Sequence, residues 1–251
     1  MNKLLLFLSI SLMCCINVRA QDSTTIYENL IDSLINKKEF DKSLLKADLL
    51  ITFNNRIGKK NGNAFLKKGI IFHKKGELDS SLASLLKAEN DFSAEKDTSK
   101  MAFTFLRMGQ VYKNKENYPN AIKSLNNSLT IYEKLNDTLC IGIVKMTYAN
   151  ILKGIGNIEP AIENYNEALN IFENLNNRSK ISACYNNIGI LYKNINNLDS
   201  SSYYYHKSLR IKEELPKPNN ISYAYHNLAD LHLTIGDIDS AYIYINESLL
   251  N

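Results

Sequence analysis

Five stretches of this chain carry the same small residues at a period of 40. Gly69, Gly109, Ala149, Gly189 and Ala229 form one column. Ser81, Ala121, Ala161, Ser201 and Ala241 follow twelve residues later, and Ala88, Ser128, Ala168, Ser208 and Ser248 seven after that. A fixed period in this range means a supersecondary unit stacked on copies of itself, because one unit alone cannot bury its apolar face. It also assigns the small residues to close packing and removes them from the functional candidates.

The unit from Met101 to Cys140 shows its construction. Phe105, Met108, Val111 and Tyr112 follow the three-and-four spacing of a helix face. The polar run Asn114 to Asn117 interrupts it, and Tyr118-Pro119 opens a second helix whose first turn tolerates proline. Ala121, Ile122, Leu125, Leu129, Ile131, Tyr132 and Leu135 give that helix an apolar face, and Asn136-Asp137-Thr138 stops it. Each unit is therefore a hairpin of helices A and B. Gly76, Gly156 and Gly236 share a turn column with Asn196, residues that accept the left-handed backbone ending a helix. Glu116 breaks that column, so its turn is expected to be made differently. Phe65, Phe105, Tyr185 and Tyr225, then Phe72, Tyr112 and Tyr192, fill matching A-helix positions. This packing role accounts for the fifteen tyrosines without a ligand.

The first twenty residues differ from the rest. Lys3 precedes an apolar run from Leu4 to Met13, and Val18-Arg19-Ala20 offers small residues where a signal peptidase reads, which predicts an export signal over 1–20 cleaved before Gln21. The run is too short for a comfortable membrane span. An uncleaved anchor and a lipoprotein built on Cys14 or Cys15 are the alternatives, although Ser11-Leu12-Met13 lacks the small pair that acylation needs. Removing Lys3 and Arg19 leaves 28 basic and 26 acidic residues, a formal charge of +2. That balance gives no footing for a nucleic-acid partner, and no other segment is apolar enough to cross a membrane. Cys140 and Cys184 sit at unlike repeat positions and are expected to be free thiols.

The columns resemble the tetratricopeptide repeat. Ile188-Gly189-x-x-Tyr192 with Ser201-x-x-x-Tyr205-x-x-Ser208-Leu209 is similar to its pattern, as is Ala161-x-x-x-Tyr165-x-x-Ala168-Leu169. The resemblance runs from about Tyr27 to Leu250 and is poorest in the first hairpin, where Ile31 and Leu50 stand at small-residue positions. The family's common period is about 34 residues. The extra residues here are expected to lengthen helix B and its exit loop, which resembles the longer-period subclass of bacterial arrays. The resemblance implies an all-α, right-handed superhelical solenoid of about six antiparallel hairpins over 21–251, starting near 25, 62, 102, 142, 182 and 222.

It further implies that exposed helix A positions line a peptide-binding groove. Carried over by column, these include Leu66, Ile70, His73, Lys74, Phe103, Leu106, Gln110, Lys113 and Asn114 in the early repeats. Ile143, Met146, Asn150, Lys153, Asn186, Ile190, Lys193, Asn194, Tyr223, His226 and Asp230 continue the set. Lys113, Lys153 and Lys193 recur at one position, a ladder suited to an acidic extended peptide, while lysine near a helix C-terminus also suits the dipole and solvent. His226 and Asp230 share a helix face but lack a third metal ligand at useful spacing. No phosphate loop or nucleophile motif stands out. The expectation is a non-catalytic scaffold without cofactor or metal, exported to a periplasm or cell envelope, that binds a protein or peptide. It would be the sensor part of a signalling protein or an assembly factor of an envelope complex, with an enzyme as the minor alternative. The chain stops after helix B of the sixth hairpin, which raises self-association through that uncapped end.

Overall fold

A computed structural model describes residues 23–215 and 221–250, and every regular element among them is helical. The first helix, α1, spans 23–36. It is followed by α2 (Phe40–Arg56), α3 (Gly62–Lys75), α4 (Leu78–Glu95), α5 (Thr98–Asn114) and α6 (Tyr118–Lys134). Then come α7 (Thr138–Gly154), α8 (Ile158–Asn174), α9 (Arg178–Asn194), α10 (Leu198–Glu213), α11 (Ile221–Ile235) and α12 (Ile238–Leu250). The export signal expected over 1–20 lies outside the described residues. No helix among the described residues is long and apolar enough to cross a membrane.

The period of 40 has a simple origin in the middle repeats, where two seventeen-residue helices alternate with two three-residue turns. The exit loop is therefore as short as the turn within the hairpin, contrary to the reading that lengthened it. Helices A begin at Thr98, Thr138 and Arg178, four residues before the starts expected at 102, 142 and 182. The reason is the residue that seemed to stop the preceding helix. Asp137 donates its backbone N–H to the Tyr132 carbonyl at 3.0 Å, closing α6, while its carboxylate accepts from the Cys140 N–H at 2.9 Å, opening α7. Asn177 and Asn197 repeat the arrangement. One side chain thus ends one helix and caps the next.

The turn between A and B is uniform as well. Gly76, Glu116, Gly156, Asn196 and Gly236 all adopt positive φ, between 56° and 87°. Glu116 was expected to depart from the others, yet its φ is 56° and the Asn117 N–H still reaches the Tyr112 carbonyl at 2.9 Å. The helix pairing dictates the turn, and the side chain tolerates the strain of about 1 kcal/mol. The return turns use the same device at Lys96, Asn136 and Asn176.

The chain forms two compact units, one ending at Ile131 and the other beginning at Tyr132, within α6. In the first, Ile31, Ala47, Leu50, Ala64 and Ile71 form one buried cluster, so the large residues of the first hairpin are core. Leu66, Leu85, Ala88, Phe92, Met108 and Val111 form another, with Phe65, Phe105 and Tyr112 packed against it. In the second unit, Ala149, Ala161, Tyr165, Ala168, Phe172, Cys184, Ile188 and Leu191 are buried together, and Tyr185 and Tyr192 lie against them. The small columns mark close approaches. A Cβ on Gly109 would stand 2.7 Å from Leu125, and one on Gly189 2.6 Å from Tyr205. Ser128 and Ser208 do more than save space, since their hydroxyls donate to the Ala102 and Ser182 carbonyls at 2.9 and 2.8 Å. Packing does not account for every tyrosine, because Tyr203, Tyr223 and Tyr242 are more than half exposed.

Candidate functional site

In the first unit, α3 and α5 carry the expected early-repeat residues. Lys74 and Asn114 are exposed, and Phe103, Gln110 and Lys113 are half-buried. Leu106 is only 2% exposed and belongs to the interior, whereas Leu66, at 8%, lines a cavity of about 370 Å3 together with Ile70 and Phe103. The apolar surface of Leu106 is worth more in the core than against solvent. Asn114 Nδ2 lies 2.8 Å from His73 Nε2, a pairing that a neutral ring accepts. Burial, then Arg107, Lys74 and Lys113, hold the His73 pKa below the ordinary histidine value.

Arg107 was not foreseen. It lies with its guanidinium 6.0 Å from the Phe103 ring centre and donates to Gln110 at 2.8 Å. Its Nε is buried without a hydrogen-bond partner among the described residues, and burial depresses its pKa. Arg107, Lys74 and Lys113 are thus the charges that act on His73, and all three are positive.

The second unit treats its groove candidates differently. Lys193 forms an ion pair with Asp230, and Lys153 donates to Asn187 at 2.6 Å. The lysine ladder therefore has unlike rungs. Asn150 accepts a 2.6 Å hydrogen bond from the buried Tyr165 hydroxyl, which gives it a structural duty. Met146 packs against the core. Asn194 and His226 are exposed, and Asp230 is committed to Lys193 rather than to His226. No group of three or more metal-ligating side chains occurs among the described residues.

Asn186 and Ile190 do come together. With Asn187, Tyr223, Asn227, Lys180 and Lys212 they line a cavity of about 470 Å3 between α9 and α11. Asn227 donates to Asn186 at 2.9 Å, which fixes both amides. Asn187, Asn227 and Lys212 were missed by the groove columns. The signal was present in the repeat: positions 107, 147, 187 and 227 read Arg, Thr, Asn and Asn, a polar column where a buried face would be apolar. In α12, Tyr242, Ile243, Leu249 and Leu250 are exposed.

Models of the tetratricopeptide repeat match residues 100–174, 182–216 and 222–250. No curated protein matches the chain. Among solved structures, the type IV pilus biogenesis factor PilW has a TM-score of 0.68 at 14% identity, covering 91% of this chain and 93% of its own. NprR in complex with its cognate peptide NprX has a TM-score of 0.68 at 15% identity, covering 90% and 66%. A signal transduction ATPase with a tetratricopeptide repeat sensor from Pyrococcus horikoshii has a TM-score of 0.70 at 19% identity; the match takes in 90% of this chain but 36% of that one. These likenesses place the fold among helix-hairpin solenoids. The chain carries tetratricopeptide repeats.

Proposed function

We propose that the chain is a non-catalytic scaffold that binds a protein or an extended peptide of acidic character along its exposed A-helix faces. The observation that carries this reading is the patch around His73, where every charge acting on the ring, from Arg107, Lys74 and Lys113, is positive. An acidic side chain placed there gains attraction from three cations. A peptide ligand is also supported by the likeness to NprR, solved with its cognate peptide. The lysines at 153 and 193 contribute less, because each already has a partner within the chain. With the export signal read from residues 1–20, the scaffold works in a periplasm or cell envelope, as the sensing part of a signalling protein. The likeness to a pilus biogenesis factor supports the second reading, assembly of an envelope complex.

Selection of a random peptide library on residues 21–251, followed by calorimetry at low and high salt, tests the proposal. Enrichment of acidic peptides whose binding weakens with salt and with the triple replacement Lys74→Gln, Arg107→Gln, Lys113→Gln is the expected result. Acidic peptides that bind the triple variant as well as the parent at low salt would overturn it.

A further inference from the structure

One interface recurs along the chain. Leu198, Tyr205 and Leu209 of α10 pack with Ala224, Leu228 and Leu231 of α11. Ile158, Ile162, Tyr165 and Leu169 of α8 pack with Cys184, Ile188 and Leu191 of α9. Leu78, Leu82 and Leu85 of α4 pack with Met108 and Val111 of α5 in the same columns. The B helix contributes residues at steps of four, three and four, and the A helix at steps of four and three. Each set is a single helix face.

Both halves of this interface also occur exposed. On α12 its columns hold Ile238, Tyr242, Ile245 and Leu249, all of them exposed. Leu249 is 79% exposed, whereas Leu209, its counterpart on α10, is 6% exposed. On α1 the register is set by the turn, because Lys38 and Gly76 share its positive φ and so fix the step between the first two hairpins. That step puts Ile26, Leu30 and Ser33 in the columns of Cys184, Ile188 and Leu191. Ile26 is 66% exposed and Cys184 is fully buried. Leu30 and Ser33 are exposed as well, where Ile188 and Leu191 are buried. None of the seven side chains on the two exposed faces is charged, so nothing on them opposes close contact.

We infer that α12 of one copy docks on α1 of a second copy, continuing the A-on-B stacking from chain to chain. In each of the three covered cases the B face meets an A helix, which is the kind of partner α12 is shaped to take. Among the described A helices, α1 is the one whose matching face is exposed. The contact joins unlike faces, so a copy that engages its α12 keeps its α1 free, and association proceeds past the dimer. The inference is independent of the peptide reading, since none of these residues belongs to the groove set.

Residues 21–251 keep every described helix and are the protein for the test. Sedimentation velocity from about 5 to about 500 μM, the range suited to small interfaces, should show an average mass that rises past the dimer. Ile26→Asp/Leu30→Asp on α1 and Tyr242→Asp/Leu249→Asp on α12 replace exposed residues, so the fold should persist by circular dichroism. Each variant should self-associate about tenfold more weakly or less, because a carboxylate would be buried without a partner. Mixing the two variants separates unlike from like pairing. One retains its α12 face and the other its α1 face, so together they should form a one-to-one heterodimer that grows no further. Ser33→Leu, which restores the apolar residue of the other A helices, should tighten association. A parent that stays monomeric, or a mixture that does, would overturn the inference. So would association that the α12 variant loses and the α1 variant keeps, the signature of α12 pairing with itself. Association of Ser33→Leu no tighter than that of the parent would overturn the register on α1.

Discussion

Phe172 lies over Gly142 to seal its hairpin, and Lys212 stands at the same position of the next one, 40 residues on. That exchange leaves a buried ammonium and a cavity where the earlier hairpin has an aromatic contact. The variant Ser182→Gly/Lys212→Phe is therefore expected to gain about 1–2 kcal/mol, from filling the cavity and removing the charge. The gain has a pH signature. The folded-state pKa of Lys212 lies below the ordinary lysine value, so between the two the unfolded chain binds more protons. Parent stability then rises with pH across that window, and the advantage of the variant narrows there. Urea unfolding of both proteins on either side of the window measures it.

Glu116 holds a φ of 56° that its repeat mates assign to glycine or asparagine. Glu116→Gly should stabilise the chain by about 0.5–1 kcal/mol, since relief of left-handed strain exceeds the added chain entropy. Gly156 offers the reverse control, with φ at 80° and no atom within 4 Å of the point where a Cβ would stand. Gly156→Ala should cost about 1 kcal/mol through backbone conformation alone. Thermal unfolding midpoints moving in opposite directions are the expected outcome; no change in either would remove the strain argument.

The glycine column is tested at one of its close contacts. Gly109→Leu should cost about 1–3 kcal/mol, because its Cβ alone would meet Leu125 at 2.7 Å and the Ala121 carbonyl at 3.3 Å. A melting midpoint equal to the parent would contradict the close approach of α5 and α6.

The two described cysteines are free, with Cys184 buried and Cys140 half-buried. Burial pushes the Cys184 thiol up to about 12. Burial, then Asp137, also raises Cys140. Since the thiolate is the reacting species, iodoacetamide at about pH 8 should label the native protein slowly, Cys184 slowest, and both thiols rapidly in urea. Mass spectrometry of the labelled peptides reads the order.

Much of the hairpin architecture was legible because packing repeats. Gly109 and Gly189 announced helix crossings, and Phe65 and Tyr185 a core stripe, through spacing alone. The turns were only half legible. Asp137 reads as a stop signal, while its side chain also starts α7, and Glu116 looked exceptional although pairing of the flanking helices forces its backbone into line. The groove was harder to read, since a column fixes direction on a helix but not depth. Leu106 points where a ligand would lie and is buried, whereas Asn150 looks available and is bound to Tyr165. Lys212 stands where Phe92, Tyr132 and Phe172 place a ring, a break that the reading of the columns passed over.

The account's central claim, that acidic peptides bind on the A-helix faces, is tested most directly at the His73 ring. In the free protein its pKa lies below the ordinary histidine value, from burial and from Arg107, Lys74 and Lys113. A carboxylate brought among those cations stabilises the imidazolium, so a selected acidic peptide must raise that pKa. The measurement is a pH titration of the histidine ring signals with and without saturating peptide. An upward shift at His73, with amide changes at Gln110 and Asn114, is the predicted result. An unmoved His73 with changes confined to the B helices α4 and α8 would contradict the account.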